Sequence, residues 1–102
     1  MTLKDPALLE LLRALPLEER GWVVVDHWDA DRTAIGVARS DEPRRLVYLC
    51  THGEPEGRAH VVCEVPTGPS PTELEETEIV EHADVDTVLS VLDRHLGARR
   101  RS

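Results

Sequence analysis

The chain has 102 residues and a formal net charge of −8, a size that suits one domain with a single core and leaves no room for a second. The longest apolar runs, such as residues 22–25, are far shorter than the roughly 20 residues of a membrane-spanning helix, and the first ten residues lack the layout of a secretory signal, so we expect a single cytoplasmic domain over residues 1–102. Because negative charge repels phosphate backbones, we expect no nucleic acid and no membrane as a partner.

The N-terminal segment carries the signals of a short amphipathic helix. Asp5 suits an N-cap, Pro6 suits the first helical position, and the leucines that follow recur at the spacing of one helical face. These signals predict a helix over about residues 6–15. Residues 16–19 can open a further helical turn, which Gly21 ends.

The middle of the chain has the composition of β-structure. Valine, isoleucine and aromatic residues gather in short runs, and aspartate, glycine and proline separate them. These patterns predict a hairpin first, then a third and a fourth strand joined by a longer loop. The predicted strands are 22–28, 33–38, 46–51 and 59–65, with turns at 29–31 and 41–43 and the loop at 52–58.

The C-terminal third begins with a proline-rich connector. Three prolines and a glycine between residues 66 and 71 prevent regular structure, and residues 78–81 predict a short edge strand after it. Asp84 is placed to cap a last helix, whose apolar stripe ends before Gly97. Residues 98–102 are expected to form a frayed tail.

The order of these elements predicts the fold class. A helix, four to five mostly sequential strands and a second helix are typical of an antiparallel meander sheet with the helices packed on one face. We therefore predict an α+β fold.

The third and fourth strands can be aligned by the alternation of their side chains. If Thr51 faces Ala59, the residues on their side of the sheet are almost all apolar, so this side, with Cys63, is the predicted core. The opposite side then suits either a contact surface or the solvated side of an antiparallel sheet. It carries Leu46, Tyr48, Cys50, His52, Arg58, His60, Val62 and Glu64.

One hypothesis for this opposite side is a metal or thiol site. Cys50, His52 and His60 fall on it, and a thiolate with two imidazoles could bind zinc, with water or a fourth side chain completing the tetrahedron. The same cysteine with His60 could instead act as a nucleophile and its base. The chain offers no Cys-x-x-Cys pair, and Cys63 has the wrong parity to be the fourth ligand.

A second hypothesis is a docking surface for a basic protein. Eight carboxylates and no lysine or arginine lie between residues 73 and 93, a pattern that serves solubility and can also steer and bias association. The aromatic residues Trp28 and Tyr48 are candidate anchors for the same contact. The carboxylates proposed to bind the partner are Glu73, Glu75, Glu76, Glu78 and Glu81.

A third hypothesis is a homodimer. Leu46, Tyr48 and Val62 share the side of the sheet opposite the predicted core, where a symmetric contact between two copies would bury them.

Motifs of the common enzyme classes are missing from the sequence, which disfavours a conventional enzyme. The chain has no glycine-rich phosphate loop, no nucleophile elbow and no His-Glu-x-x-His pair. A binding module without a cofactor is the function that this composition favours.

The segment Gly21-Trp-Val-Val-Val-Asp-His-Trp-Asp-Ala-Asp31, with Ala34-Ile-Gly-Val-Ala38, resembles small bacterial α+β proteins that have no assigned activity. Eleven arginines against one lysine fit a bacterial gene of high GC content. In size, acidity and layout the chain is similar to the immunity proteins of bacterial toxin systems. This likeness implies a module that covers a basic partner, and it assigns no role to any particular residue.

Overall fold

A computed structural model describes residues 4–25, 32–70 and 73–97. The described residues form three helices and five strands in the order that the sequence predicts. The helices are α1 (Pro6–Arg13), α2 (Leu17–Arg20) and α3 (Val85–His95), and the strands are β1 (Trp22–Val25), β2 (Ala34–Arg39), β3 (Glu42–Cys50), β4 (Ala59–Pro66) and β5 (Leu74–Ala83).

The five strands form one antiparallel sheet in the order β1-β2-β3-β4-β5. Each strand pairs with its neighbour in sequence, so the sheet is a meander, and the predicted α+β class is confirmed. Leu49 lies opposite Val61 and Cys50 opposite His60, which is the alignment that places Thr51 across from Ala59. The register expected from side-chain alternation is therefore correct.

The hydrophobic core lies on one side of this sheet. Val37, Val47 and Val61 from the three central strands are fully buried, and Leu8 of α1 and Leu92 of α3 pack into the same cluster. Burying an aliphatic side chain of this size contributes about 1.5–3 kcal/mol. The apolar stripes of α1 and α3 thus pack against the same side of the sheet, as predicted. We call this side the core face and the opposite side the outer face.

The connection from α1 into the sheet follows the predicted signals. The first helix ends at Arg13, two residues earlier than expected, and the turn that begins after Pro16 is α2. Gly21 then ends α2 with φ of +71°, a left-handed conformation that glycine adopts without a steric penalty. The strand that follows begins with Trp22, which is 3% exposed and belongs to the core.

Several strand boundaries differ from the sequence-based expectation. Glu42 and Pro43 were expected in a turn, but they already belong to β3, because Arg39 pairs with Glu42 after a β-bulge and only Ser40 and Asp41 remain between the strands. Pro66 ends β4 instead of opening the connector. The last strand has ten residues instead of four, because pairing along β4 outweighs the low β-propensity of glutamate.

Several sequence-based predictions lie outside the described residues. These are the second half of the first predicted strand and its turn, with Trp28, as well as residues 71–72 of the connector and the tail at residues 98–102. Within the described part of the chain, no helix is long and apolar enough to cross a membrane.

The C-terminal end of α3 is bound by three strands at once. Trp22 Nε1 donates a hydrogen bond to the carbonyl of Gly97 at 2.8 Å, Arg39 Nη1 to Leu96 at 3.0 Å, and Arg45 Nε to His95 at 2.7 Å. The last carbonyls of a helix lack partners within it and carry partial negative charge, so two guanidinium groups are favourable there. These three bonds fix α3 against β1, β2 and β3.

Candidate partner-binding surface

The outer face has a closed half and an accessible half. Ala34 and Ala38 of β2 and Leu46 of β3 are at most 1% exposed, although they do not belong to the main core cluster. Toward β5 the face becomes accessible, and Ile79 is 56% exposed. The accessible side chains of the outer face therefore lie on β3, β4 and β5.

A groove of about 400 Å³ lies in this accessible half. Two rows of register partners line it: Tyr48 lies opposite Val62, and Cys50 lies opposite His60. A third row adds Glu64, the register partner of Glu76 across β4 and β5. The lining residues are Tyr48, Cys50, His60, Val62, Glu64 and Glu76.

The groove is bordered by β5, an edge strand that pairs only with β4 among the described strands. Glu75, Glu76 and Glu81 of β5 are exposed. Glu76 shares the outer face with Glu64, whereas Glu75 lies opposite Val65 and so points to the other side of the sheet. We call the predicted carboxylates of this region, Glu73, Glu75, Glu76, Glu78 and Glu81, the acidic edge.

The acidic edge includes one carboxylate that the fold itself uses. Glu78 lies opposite Cys63 on the core face, and its Oε2 is 2.6 Å from Nη2 of Arg94 on α3. This ion pair joins β5 to the helix. Glu78 is therefore a poor target for testing partner binding, because its replacement also removes a contact of the fold.

The acidic edge begins at the connector between β4 and β5. The carbonyl of Glu73 accepts a hydrogen bond from the amide of Thr67 at 2.8 Å, which closes the connector. Nη2 of Arg44 donates to the carbonyls of Gly68 and Ser70, the latter at 2.6 Å. The guanidinium of β3 thereby holds this end of the β4–β5 hairpin.

The residues of the metal hypothesis are only partly brought together. Cys50 and His60 face each other in the groove, whereas His52 follows the end of β3 and is exposed. Among the described residues, no three histidine, cysteine, aspartate or glutamate side chains are arranged to hold a metal ion. Cys63 lies in the core, as parity predicts. The zinc alternative stays a prediction, which metal analysis of purified protein would test.

The homodimer hypothesis also stays a prediction. The three residues proposed for the contact expose less apolar area to a second copy than the sequence suggested. Leu46 is 1% exposed and Val62 is 5% exposed within the single chain. Of the three residues proposed for that contact, only Tyr48 keeps partial exposure. A second copy would bury little more of the other two.

A second cleft, of about 470 Å³, lies between the start of α1, the loop after β3 and the start of α3. Glu54 and Arg58 are among the residues that line it. Glu54 Oε2 is 2.6 Å from Nδ1 of His82, and Arg58 Nη1 donates to the carbonyl of His82 at 3.0 Å. Both groups thus fasten the loop to β5.

Sequence reasoning placed Glu64 on the outer face, but it missed the exposed Ile79 and the pairing of Glu64 with Glu76. That pairing depends on β5 starting at Leu74. The shorter strand that was predicted left Glu76 outside the sheet. The true length of β5 was needed to place Glu76 in the sheet.

The comparisons with known proteins give no relative: no family model, no curated protein and no solved structure matches this chain.

Proposed function

We propose that this protein is a small acidic binding module that covers a basic protein partner, in the manner of an inhibitor or immunity protein. The accessible half of the outer face and the acidic edge form its contact surface. Glu75, Glu76 and Glu81 supply exposed charge, and Tyr48 with Ile79 supply apolar and aromatic area.

The observation that carries this proposal is the position of the groove beside the acidic edge. Both amphipathic helices are used on the core face, so the outer face between β3 and β5 keeps a groove, and Glu76 belongs to the groove and to the edge alike. Protein interfaces commonly combine a central aromatic or apolar anchor with a polar rim. Here the groove spans β3, β4 and β5, and the acidic edge lies along β5.

The charge distribution favours a basic partner over a neutral one. Rim carboxylates accelerate the encounter with a positive surface and penalise a negative one. Two copies of the acidic edge repel each other, so the same charges discourage self-association through β5. The partner expected from this surface is a protein with exposed arginine or lysine side chains.

The test is a comparative capture from lysate of the source organism, with mass spectrometry of the bound proteins. The bait is the wild-type protein, the double variant Glu75→Gln/Glu76→Gln, or the control Glu18→Gln/Glu19→Gln. The control removes the same charge from exposed positions of α2, which lies beside β1 at the far edge of the sheet.

We expect one basic protein to be retained by the wild type and the α2 control, and to be reduced with the β5 variant. If that partner is an enzyme, the purified chain should inhibit it. Equal retention by all three baits, or retention of no basic protein, would contradict the proposal.

A further inference from the structure

The second cleft has a wall that a histidine of β5 holds in place. Glu54, Pro55 and Glu56 form the tip of the loop between β3 and β4, and all three line this cleft of about 470 Å³. The side chain of Glu54 is only 6% exposed, although it belongs to a surface loop, and its Oε2 lies 2.6 Å from Nδ1 of His82. A carboxylate buried to this extent is costly without a partner. The imidazole therefore stabilises the tip in this position.

A bulge in β5 brings His82 to the tip. The register between β4 and β5 shifts between Ala59 and Val61, so Glu81 and His82 both stand opposite His60. Bulges of this kind re-aim a side chain. His82 also has φ of +56°, the left-handed conformation that glycine adopts most easily. Histidine is thus unfavourable for the backbone here, and its contact with the loop offsets part of that cost.

Two glycines flank the tip. Gly53 and Gly57 have φ of +73° and +77°, and no atom of the described residues, apart from their chain neighbours, lies within 4 Å of where a Cβ would stand on either. Each glycine lies inside a hydrogen-bonded turn. The turns are closed by the amides of Glu54 and Arg58, which donate to the carbonyls of Thr51 and Pro55 at 3.1 Å and 3.0 Å. Hinges of loops are often small residues that absorb a backbone rotation. A rotation at these glycines moves the tip and breaks both turns.

From these features we infer that residues 53–57, which we call the lid, close one side of the cleft, and that the pair of Glu54 and His82 is the latch of this lid. Leu11 of the core cluster lines the side of the cleft that α1 forms, and Val85 lines the side that α3 forms. Release of the latch lets the lid rotate about its two glycines, which opens a path from solvent to both side chains. The lid thus controls access to the apolar part of the cleft.

The base of the loop is fixed to β5 by a different contact. Arg58 Nη1 donates to the carbonyl of His82 at 3.0 Å. This bond uses the backbone of His82, so it does not depend on the imidazole. When the latch is released, the end of the loop therefore stays attached to β5, and the movement is confined to the lid. The cleft and the groove on the outer face share no lining residue, so the inference goes beyond the proposed function.

The first readout is hydrogen exchange at the amides of Glu54 and Arg58, corrected for intrinsic rates, because both are protected only while the turns are closed. His82→Gly removes the latch from β5 and suits the left-handed backbone. Glu54→Ala removes it from the lid, so agreement between the two variants excludes an effect of the new glycine alone. Glu56→Ala is the control, since it removes the same charge from an exposed position of the same tip.

The second readout is access to the cleft. The variant Val85→Cys, in a Cys50→Ser background, places a thiol in the lining of the cleft. Its labelling rate with an aromatic disulfide reagent is measured with the latch intact and with His82→Gly or Glu54→Ala added.

We expect both latch variants to raise exchange at the two amides by about fivefold or more, because a charge-assisted hydrogen bond to a buried carboxylate is lost. The labelling rate of Val85→Cys should rise with them, and Glu56→Ala should match the wild type in both readouts. Unchanged exchange in either latch variant, an equal effect of Glu56→Ala, unchanged labelling, or faster exchange spread over the whole sheet would overturn the inference.

Discussion

The two cysteine residues differ in environment, although they lie on neighbouring strands. Cys63 is 1% exposed, and burial raises the pKa of its thiol above 9.0, with Glu78 acting in the same direction and Arg94 and Arg45 opposing it. Cys50 lies in the groove and is partly exposed. Since the thiolate is the reactive form, the two thiols should differ strongly in reactivity.

We predict that an aromatic disulfide reagent modifies Cys50 in the folded protein and Cys63 only after unfolding. Mass spectrometry of the labelled peptides measures both sites. The variant Cys50→Ser should take up no label until denaturant is added. Modification of Cys63 at the same rate as Cys50 under native conditions would show that the core face is more open than described.

His95 at the end of α3 couples stability to pH. Burial lowers the pKa of its imidazole from the usual 6.5, and Arg45 acts in the same direction, against a hydrogen bond between Nε2 and the carbonyl of Glu64 at 3.1 Å. The unfolded chain therefore binds a proton at this residue at higher pH than the folded protein. The stability contributed by neutral His95 is present above pH 6.5 and is lost as the pH falls below it.

We predict that the wild-type protein loses more stability than the variant His95→Gln between pH 7.5 and pH 5.5. Urea unfolding at a series of pH values gives the free energy of unfolding of each. Parallel curves for the two proteins would contradict the assigned role of His95.

At the scale of elements, the packing of α3 onto the sheet depends on its C-terminal carbonyls. The bond from Arg45 Nε to the carbonyl of His95 is charge-assisted and partly buried. We predict that Arg45→Met lowers the free energy of unfolding by about 2 kcal/mol, since hydrogen bonds to charged groups contribute about 1.5–3 kcal/mol. Chemical denaturation measures this change, and Arg13→Met at the exposed end of α1 is the control, with little change expected.

Most of the element order could be predicted from the sequence, because its signals are local. Leucine spacing and Asp5-Pro6 mark α1, and Asp84 marks α3, where its Oδ1 accepts a hydrogen bond from the amide of Thr87 at 2.9 Å. The length of β5 could not be predicted in this way. The glutamates of β5 have a low intrinsic propensity for strands. They form a strand because they pair with β4, and this pairing depends on the tertiary structure.

At the scale of the whole molecule, the candidate site was predictable in part. Alternation along β3 and β4 placed Tyr48, Cys50 and His60 on one face, and the register bears this out. The closed half of that face could not be predicted, because side-chain alternation gives the face on which a residue lies and not its exposure. The ion pair between Glu78 and Arg94 could not be predicted either, because it depends on where α3 crosses the sheet.

The charge of the molecule is the central point of the account. The net charge of −8 would aid solubility wherever its carboxylates lay, whereas a binding surface depends on their location. The pair Glu75 and Glu76 on β5 and the pair Glu18 and Glu19 on α2 provide this comparison, because neutralising either pair removes the same charge from opposite edges of the sheet. A solubility role predicts equal effects of the two substitutions, and a docking role predicts unequal ones.

The most direct test is titration calorimetry of the captured basic partner with the wild-type protein and these two double variants, at low and at moderate salt. We predict that Glu75→Gln/Glu76→Gln weakens binding about tenfold, a loss of about 1.4 kcal/mol, and that Glu18→Gln/Glu19→Gln leaves the Kd unchanged within about twofold at moderate salt, where distant charges are screened. Equal Kd values for the two variants would contradict the account and leave the acidic edge as a solubilising surface.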